Sequence, residues 1–266
     1  MPLMSIESEI VKKRFNFNKK MLVNASNKLL DLLYPPICVH CQTPVIESDG
    51  LCAKCFSALH AITDPKCPIL GLPFEVSLGA NATSAEAIAY PPEFNRARSA
   101  FIYDDVAHSI VTRLKYGDKP ELAKFCAVTM AATCAEVLQG DPILLPVPLH
   151  KKRLRMRYYN QSNEIAKFLA NITGLENAPM LAKRIKETKQ QVGLNAYQRS
   201  KNVAGAFRVE EDLLRFDKEK AIVIIDDVIT TGATVNALAK TLKKAGYKKI
   251  DVISFARVVK QVNYPI

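Results

Sequence analysis

The sequence predicts an α/β fold, with a parallel β-sheet flanked by helices and a small four-cysteine module ahead of it. Three apolar runs have the length of strands and are continuous rather than alternating, which is typical of strands buried on both faces. They cover 143–147, 221–225 and 250–255. Helical patterns lie between them, over 162–173 and 235–245, and each ends at a glycine. Strands that alternate with helices in this way indicate right-handed crossover units.

Composition places the chain among globular proteins of one or two domains. It has 266 residues, of which 48% are hydrophobic and 24% are charged, so collagen-like and wholly disordered classes are excluded. No apolar stretch reaches the roughly 18 residues of a membrane-spanning helix, and the N-terminus lacks the apolar segment of an export signal. We therefore expect a cytoplasmic protein. The formal net charge of +11 favours contact with phosphate polyanions.

Changes in composition along the chain predict four segments. Residues 1–30 are expected to form a basic N-terminal tail. Residues 31–73, which carry the paired cysteines and several prolines, are expected to form a zinc-binding module. Residues 74–95 read as a linker rich in Ala, Ser and Pro, and residues 96–266 as the α/β domain.

Two C-x-x-C pairs separated by ten residues have the spacing of a zinc site. Each pair brings two sulfur ligands to one metal through a tight turn, and Zn²⁺ prefers four such ligands at tetrahedral angles. A structural zinc ion is the favoured interpretation, with a redox dithiol or chance spacing as alternatives. Cys126 and Cys134 lie in an apolar helical stretch and are expected to be buried small hydrophobic residues. The predicted ligands are Cys38, Cys41, Cys52 and Cys55.

The strongest site signal is the run AIVIIDDVITTGAT at 221–234. We expect a buried strand that ends at two carboxylates, and then a turn that opens a helix near Thr234. Backbone N–H groups at the start of that helix, together with the helix dipole, favour a phosphate. Gly232 allows close approach of the ligand, while the carboxylates suit sugar hydroxyls rather than phosphate. The predicted ligand-binding residues are Asp226, Asp227, Thr230, Thr231, Gly232, Ala233 and Thr234.

This run resembles the phosphoribosyl pyrophosphate (PRPP) signature of the type I phosphoribosyltransferases, in which four apolar residues precede DD-x-x-TTG-x-T. The resemblance implies a phosphoribosyltransferase-like sheet. One alternative is a strand, a turn and a helix capped by Thr234, with no ligand. Another is the magnesium-holding strand of a P-loop ATPase, but no glycine in the chain is followed by the lysine that its phosphate loop requires.

A cluster of five cations follows the predicted strand at 143–147. Ligands of open parallel sheets bind beyond the carboxyl ends of strands, so we expect this cluster and the 226–234 run to share one site. Pyrophosphate or a nucleic-acid backbone is the expected anion, and Tyr158 and Tyr159 are candidates for stacking on bases. A solvated charged face is the alternative. The cations are Lys151, Lys152, Arg153, Arg155 and Arg157.

Five separated motifs give the chain a resemblance to the ComF family of competence proteins. They are LLYPPICVHC with LCAKC, LKYGD at 114–118, PVPLHKKRLRMRYYNQS at 146–162, QVGLNAYQRSKNVAGAF at 191–207, and the DD-x-x-TTG run. The resemblance implies a role in DNA uptake during natural transformation, in which imported single-stranded DNA is handled with a helicase and the inner-membrane DNA channel. It also implies a position at the inner face of the membrane through such partners, and a lid over the site at 191–202.

Two positions depart from the family pattern. Relatives carry a CPxCG knuckle where this chain has Cys67 followed by Pro-Ile-Leu-Gly, so a ligand of any second metal site is missing. Relatives also have RGFNQ where this chain has RYYNQ, so Tyr158 replaces a flexible glycine, which bears on how that loop closes over a ligand.

Two functions from different classes are therefore expected. One is the handling of single-stranded DNA, with PRPP or a nucleotide bound in the 226–234 pocket. The other is an active phosphoribosyltransferase, whose acceptor and catalytic residues the sequence does not identify. Zinc is the expected structural cofactor, and Mg²⁺ the expected companion of PRPP. The predicted pyrophosphate or nucleic-acid contacts are Lys115, Arg153, Arg155, Arg157, Tyr159, Asn160, Gln161, Gln191 and Arg199.

Overall fold

A computed structural model describes residues 35–46, 50–77, 79, 82–116, 122–187, 201–210 and 216–259. The chain divides into two compact units, residues 1–52 and 53–266. The predicted basic tail at 1–30 lies outside the described residues. The boundaries of the four predicted segments stay predictions.

The described part of the first unit is a short turn built around a cysteine pair. Ile37 and Pro44 form an antiparallel bridge, and within it the N–H of Cys38 donates to the carbonyl of Thr43 at 2.8 Å. The N–H of Gln42 donates back to the carbonyl of Cys38 at 3.0 Å. This hydrogen bonding folds the C-x-x-C segment into the tight turn that the spacing predicts.

The second unit contains strands and helices in alternation. Its described helices are α1 (Ala53–Ser57), α2 (Ala85–Ala89), α3 (Asp105–Tyr116), α4 (Leu122–Thr133), α5 (Lys151–Arg157), α6 (Gln161–Thr173) and α7 (Ala233–Lys244). Its described strands are β1 (Arg96–Ile102), β2 (Ile143–Pro146), β3 (Ala182–Arg184), β4 (Phe207–Val209), β5 (Ile222–Ile229) and β6 (Ile250–Arg257). None of the described helices is both long enough and apolar enough to cross a bilayer.

The main sheet has the strand order β1-β6-β5-β2, and every pair in it is parallel. Strands β3 and β4 form a separate antiparallel pair. Helices α4 and α6 pack on each other and on the sheet, while α7 packs against β5 and β4. Every residue of β6 is buried, which is the two-sided burial that a continuous apolar run indicates. The predicted fold class, a parallel sheet flanked by helices, is confirmed.

Helix α7 buries the stripe that its periodicity predicts, whereas α6 buries only part of its predicted stripe, because Phe168 is half-buried and Ile172 is 48% exposed. In α6 the buried apolar residues are Ile165, Ala166 and Leu169, and the helix ends at Gly174 with a positive φ of 74°. In α7 the stripe Val235, Leu238 and Leu242 joins the same core cluster as Ile222, Ile224 and Ile229 of β5. Burial of these stripes fixes the rotation of each helix, and therefore fixes where its first turn points.

Strand β5 is longer than the sequence predicts, and this corrects the position of the two carboxylates. We expected the strand to end at Ile225, but it continues to Ile229 with Asp226 and Asp227 inside it. The reason is β6, which pairs with β5 as far as Ile229. On the other side β2 stops at Pro146, opposite Ile225. The carboxylates therefore lie just beyond the end of one neighbouring strand while the other neighbour still holds their backbone.

Candidate functional site

The four predicted zinc ligands come together. The Sγ atoms of Cys38, Cys41, Cys52 and Cys55 all lie within 4.8 Å of one another, and those of Cys41 and Cys52 are 3.6 Å apart. Four sulfurs at about 2.3 Å from a tetrahedral zinc ion stand roughly 3.8 Å from each other. The cluster thus has the donor set and the size that a structural zinc ion requires.

Backbone donors favour the thiolate form within this cluster. Burial raises the pKa of Cys38, but N–H groups of Cys52, Cys41 and His40 donate to its sulfur and hold the pKa below the ordinary value of 9.0. The cysteines outside the cluster behave differently. Cys126 and Cys134 are fully buried, as predicted, and burial raises the pKa of Cys134 to about 11. A neutral thiol is the stable form at these two positions, as expected of small core residues.

Cys67 lies outside the metal cluster. Its thiol is buried and accepts hydrogen bonds from the N–H of Leu70 at 3.4 Å and from the N–H and hydroxyl of Ser84 at 3.4 and 3.3 Å. Leu70, which stands where relatives have the second knuckle cysteine, is itself buried. Among the described residues the only cluster with metal-ligand spacing is the four-cysteine one.

The DD-x-x-TTG run forms an open cleft between the end of β5 and the start of α7. We call it the β5–α7 cleft. It contains five of the seven predicted ligand-binding residues. Its lining consists of Asp226, Val228, Ile229, Thr230, Gly232, Ala233, Thr234 and Val235.

The start of α7 is arranged to receive an anion. Gly232 is the N-cap, with a left-handed φ of 72°, and no side chain caps the helix. This excludes Thr234 as the cap, which the ligand-free interpretation required. The hydroxyl of Thr231 is out of contact with solvent and has no hydrogen-bond partner among the described residues. Uncapped N–H groups at a helix start and a hydroxyl in need of a partner are features of a phosphate site.

The two carboxylates of β5 have different environments. Successive strand residues face opposite sides, and Asp227 turns into the interior, where it is 4% exposed. There the ammonium Nζ of Lys115, at the end of α3, lies 2.5 Å from Asp227 Oδ2. Asp226 faces the cleft, and its Oδ1 accepts hydrogen bonds from the hydroxyl of Ser162 at 3.2 Å and from the N–H of Asp227 at 3.0 Å.

These environments shift the pKa values of Asp226 and Asp227 in opposite directions. Burial raises the pKa of any carboxyl, but at Asp227 the charge of Lys115 outweighs it and holds the pKa below the ordinary 3.8. At Asp226 burial and the adjacent charge of Asp227 act together and raise the pKa well above 3.8. The inner carboxylate is therefore the ionised one, and the outer carboxyl favours the protonated form.

The first turn of α6 links the carboxylates to the rest of the site. Asn160 is the N-cap of α6: its Oδ1 accepts from the N–H of Ser162 at 3.1 Å, and its Nδ2 donates to the carbonyl of Val147 at 3.0 Å. Gln161 is buried and forms a side-chain hydrogen bond with Asp227. Asn160 and Gln161, predicted as anion contacts, are thus engaged in holding the site together.

The five predicted cations form helix α5, a helix that the sequence analysis did not assign. None of its seven residues is buried. Lys151, Lys152 and Arg155 are exposed, while Arg153 and Arg157 are half-buried. Lys152 forms an exposed ion pair with Glu187, with 2.8 Å between Nζ and Oε1.

The aromatic residues near α5 differ from the sequence expectation. The hydroxyl of Tyr159 donates to the carbonyl of Leu114, so this residue is half-buried and fixed. Tyr158 is 88% exposed, and it is the C-cap of α5 with a left-handed φ of 63°. A glycine, the residue that the family resemblance implies at this position, adopts this backbone conformation without strain. Tyr158 holds the turn in the same form, at the cost that any side chain incurs there.

Arg184 is a functional candidate that the sequence analysis did not include among the site residues. It ends β3 and is 7% exposed, and its guanidinium carbon lies 5.4 Å from the centroid of the Phe207 ring. Burial and the charge of Arg153 lower its pKa to about 10, while Asp226 acts in the opposite sense. Arg184 is therefore close enough to Arg153 and Asp226 to interact with both charges. From the sequence, Arg184 is one of the basic residues that extend the positive surface beyond the cation cluster.

Two other predicted contacts, Gln191 and Arg199, lie outside the described residues, as does most of the implied lid at 191–202. Lys115 is described, and it contacts the carboxylate pair from inside, where the sequence analysis expected an anion contact. His60 lies close to the cysteine segment in sequence, and its Nδ1 pairs with Asp104 Oδ2 at 2.8 Å.

Comparison with known proteins finds one matching family model and several relatives of similar length. A family model described as the double zinc ribbon domain matches residues 29–88. Competence protein F of Haemophilus influenzae is 28% identical over 228 residues, which cover 83% of this chain and 96% of that protein. DNA utilization protein YhgH of Salmonella typhimurium is 28% identical over 234 residues, covering 86% of this chain and all of that protein.

Two further similarities extend the set. Competence protein ComFC of Bacillus subtilis is 26% identical over 222 residues, covering 79% of this chain and 84% of that protein. Among solved structures, a hypoxanthine phosphoribosyltransferase from Staphylococcus aureus matches with a TM-score of 0.33 and 16% identity, covering 59% of this chain and 76% of that chain. The sequence relatives confirm the resemblance to the ComF family of competence proteins that the five motifs indicate.

Proposed function

We propose that this protein handles single-stranded DNA in natural transformation and binds PRPP or a nucleotide in the β5–α7 cleft. The observation that carries the DNA-handling part is α5, a helix that buries none of its residues and has five cations among seven. Like charges four positions apart, as in the pairs Lys151/Arg155 and Arg153/Arg157, destabilise a helix unless an anion neutralises them. A helix of this kind adds nothing to the core, so its charge pattern is best explained by a polyanionic partner. A competence helicase and the inner-membrane DNA channel are the further partners that the family resemblance implies.

The cleft supports the ligand part of the proposal. Its helix start offers a phosphate N–H groups without intrahelical partners and the positive end of a dipole, and the Thr231 hydroxyl lies buried next to it with no partner among the described residues. Asp226 lines the same cleft and presents an oxygen to ribose hydroxyls. The charge of Asp227 is already neutralised by Lys115, which lowers the repulsion that a phosphate would meet.

An active phosphoribosyltransferase is the second candidate, and Arg184 with Arg153 favours it. Arg184, which interacts with the charges of both Asp226 and Arg153, would neutralise the pyrophosphate that leaves the ribose carbon. Mg²⁺ prefers carboxylate oxygens, and the described cleft offers it Asp226, since Asp227 is turned inward onto Lys115. Such an ion would neutralise pyrophosphate charge, while Lys115 fixes the inner carboxylate and Gln161 holds its orientation.

The DNA-handling proposal is tested by two variants of equal charge. Lys151, Lys152 and Arg155 are changed to Gln in one variant; Lys240, Lys243 and Lys244, exposed on α7, are changed to Gln in the control. Binding of a labelled single strand is measured by fluorescence anisotropy over a range of salt. Each phosphate contact contributes about −0.7 to the log–log salt slope, so the α5 variant should flatten it by roughly 2 units. Equal slopes in both variants would contradict the proposal.

Calorimetric titration with PRPP and with nucleoside monophosphates tests the cleft. Wild type should bind, whereas Thr231→Ile, which places a bulky apolar chain beside the helix start, should bind at least about tenfold more weakly. Incubation with PRPP, Mg²⁺ and a panel of bases separates the two candidates, because only a transferase releases pyrophosphate. Equal affinity of wild type and Thr231→Ile would show that the DD-x-x-TTG run is only a structural turn and not a ligand site.

A further inference from the structure

We propose that Tyr116, with the Arg157 guanidinium stacked on its ring, is a base-stacking site for the single strand that α5 binds. The site deepens the proposed DNA-handling function and rests on it. It differs from the sequence expectation, which assigned stacking to the tyrosines that follow α5. Among those, Tyr159 is fixed by the carbonyl of Leu114.

Tyr116 combines exposure with a fixed ring. It is the last residue of α3 and is 66% exposed, so much of the ring surface is open to a ligand. The guanidinium carbon of Arg157 lies 4.8 Å from the ring centroid, and Arg157 Nη2 donates to the Tyr116 hydroxyl at 3.0 Å. These two contacts hold the ring before any ligand arrives, which lowers the entropy cost of stacking a base on it.

A closed circuit of contacts ties this ring to the inner carboxylate. Arg157 Nη1 donates to Gln161 Oε1 at 3.3 Å, and Gln161 hydrogen-bonds Asp227. Asp227 in turn holds Lys115 at 2.5 Å, and Lys115 is the residue before Tyr116. The ring is therefore fixed relative to β5 from two sides.

The positive charge of α5 favours a nucleic-acid strand as the partner of this site. Arg157 lies on the same helix as the exposed Lys151 and Arg155, so phosphates bound along α5 would place an attached base within reach of the Tyr116 ring. Base–aromatic stacking works with every base, because each one has a π-face. The arrangement fits a strand bound without sequence preference, with phosphates on α5 and a base on Tyr116.

The test is a cycle that removes the ring and the base separately. Wild type and Tyr116→Ala are titrated with a labelled oligothymidylate and with an abasic strand of equal length and charge. Loss of one base–aromatic stack lowers affinity by roughly 5- to 100-fold. We expect that loss in Tyr116→Ala on the oligothymidylate, with the salt slope unchanged. On the abasic strand the two proteins should bind equally.

Two variants serve as controls. Tyr116→Phe keeps the ring and should bind within about twofold of wild type, since stacking does not need the hydroxyl. Tyr90→Ala removes a tyrosine that is 80% exposed and lies outside α5 and the cleft, and its affinity should match wild type. An equal loss in Tyr116→Ala on both strands, or no loss on either, overturns the stacking site and leaves the proposed function standing. A wild-type protein that binds neither strand overturns the proposed function and the stacking site with it.

Discussion

The four-cysteine cluster and the β5–α7 cleft are built in different ways. The cluster takes its four donors from 18 consecutive residues, Cys38 to Cys55, and a local turn brings the first pair together. The cleft with its surrounding charges takes Lys115 from α3, Ser162 from α6, Arg184 from β3 and the carboxylates from β5. A site made from one short segment depends on its metal, whereas a site made from four elements depends on the packing of the domain.

The largest effect should come from removing one metal ligand. Cys41→Ser is expected to abolish zinc binding and to unfold the cysteine segment, because the roughly 10–16 kcal/mol of a structural zinc site is folding free energy. Elemental analysis of protein purified under reducing conditions should show one zinc per chain in wild type and none in the variant. Cys134→Ser, a change in the core, should keep its zinc. Zinc retained in Cys41→Ser, or absent from wild type, would contradict the cluster.

Within the second unit, the largest effect should come from the inner carboxylate. Asp227→Asn leaves Lys115 without its partner in the interior, and loss of one member of a buried pair costs about 3–5 kcal/mol. Asp226→Asn is the matched control, because it makes the same substitution one position earlier in the strand. It should raise the free energy of unfolding at pH 7, because it removes a carboxyl whose charged form is disfavoured. Urea unfolding of both variants measures the contrast.

The pH dependence of these two variants follows from the direction of each pKa shift. Asp226 has a raised pKa in the folded protein, so its contribution is fully present below about pH 4 and is lost as the pH rises through the folded pKa. The gain in Asp226→Asn should therefore be absent near pH 3 and should grow toward neutral pH. Asp227 has a lowered pKa, so its contribution is present above 3.8 and is lost as the pH falls below it. Destabilisation by both variants at pH 7 would break the assignment.

A smaller effect is expected from Arg184, and it separates anion binding from stability. Arg184→Met should lower the affinity for pyrophosphate by roughly 10- to 100-fold, since a hydrogen bond to a charged group contributes about 1.5–3 kcal/mol. The control is Arg208→Met on β4, where the arginine is exposed and pairs with Glu210 at 3.2 Å. Calorimetry with pyrophosphate measures both. The same pyrophosphate affinity in both variants would show that Arg184 does not contribute to anion binding.

The smallest effect concerns the turn after α5. Tyr158→Gly should raise the free energy of unfolding by about 1 kcal/mol, because a glycine adopts the left-handed conformation without the penalty of a side chain. Tyr158→Ala keeps the penalty and removes the ring, so a gain in the glycine variant alone assigns the effect to the backbone. Denaturant unfolding of the three proteins is the measurement. Equal stability in all three would show that the turn is unstrained.

The sequence by itself determined the features that are local in the chain. The C-x-x-C spacing predicted the metal ligands, because a tight turn brings the two cysteines of each pair together whatever the tertiary packing around them. Continuous apolar runs predicted β2, β5 and β6, since a strand buried on both faces does not alternate polar and apolar residues. The DD-x-x-TTG run placed a cleft at the start of α7, because the strand, the glycine turn and the helix are consecutive.

Only the tertiary structure decided what depends on neighbours. The pairing of β6 with β5 extended the strand through Asp226 and Asp227, and the packing of α3 brought Lys115 onto one of them. Nothing in the two adjacent aspartates tells which is ionised, because burial and the nearest opposite charge decide it. Arg184 and Tyr116 belong to the site for the same reason: their neighbours Arg153 and Arg157 lie 31 and 41 positions away in sequence, and only the packed domain brings them together.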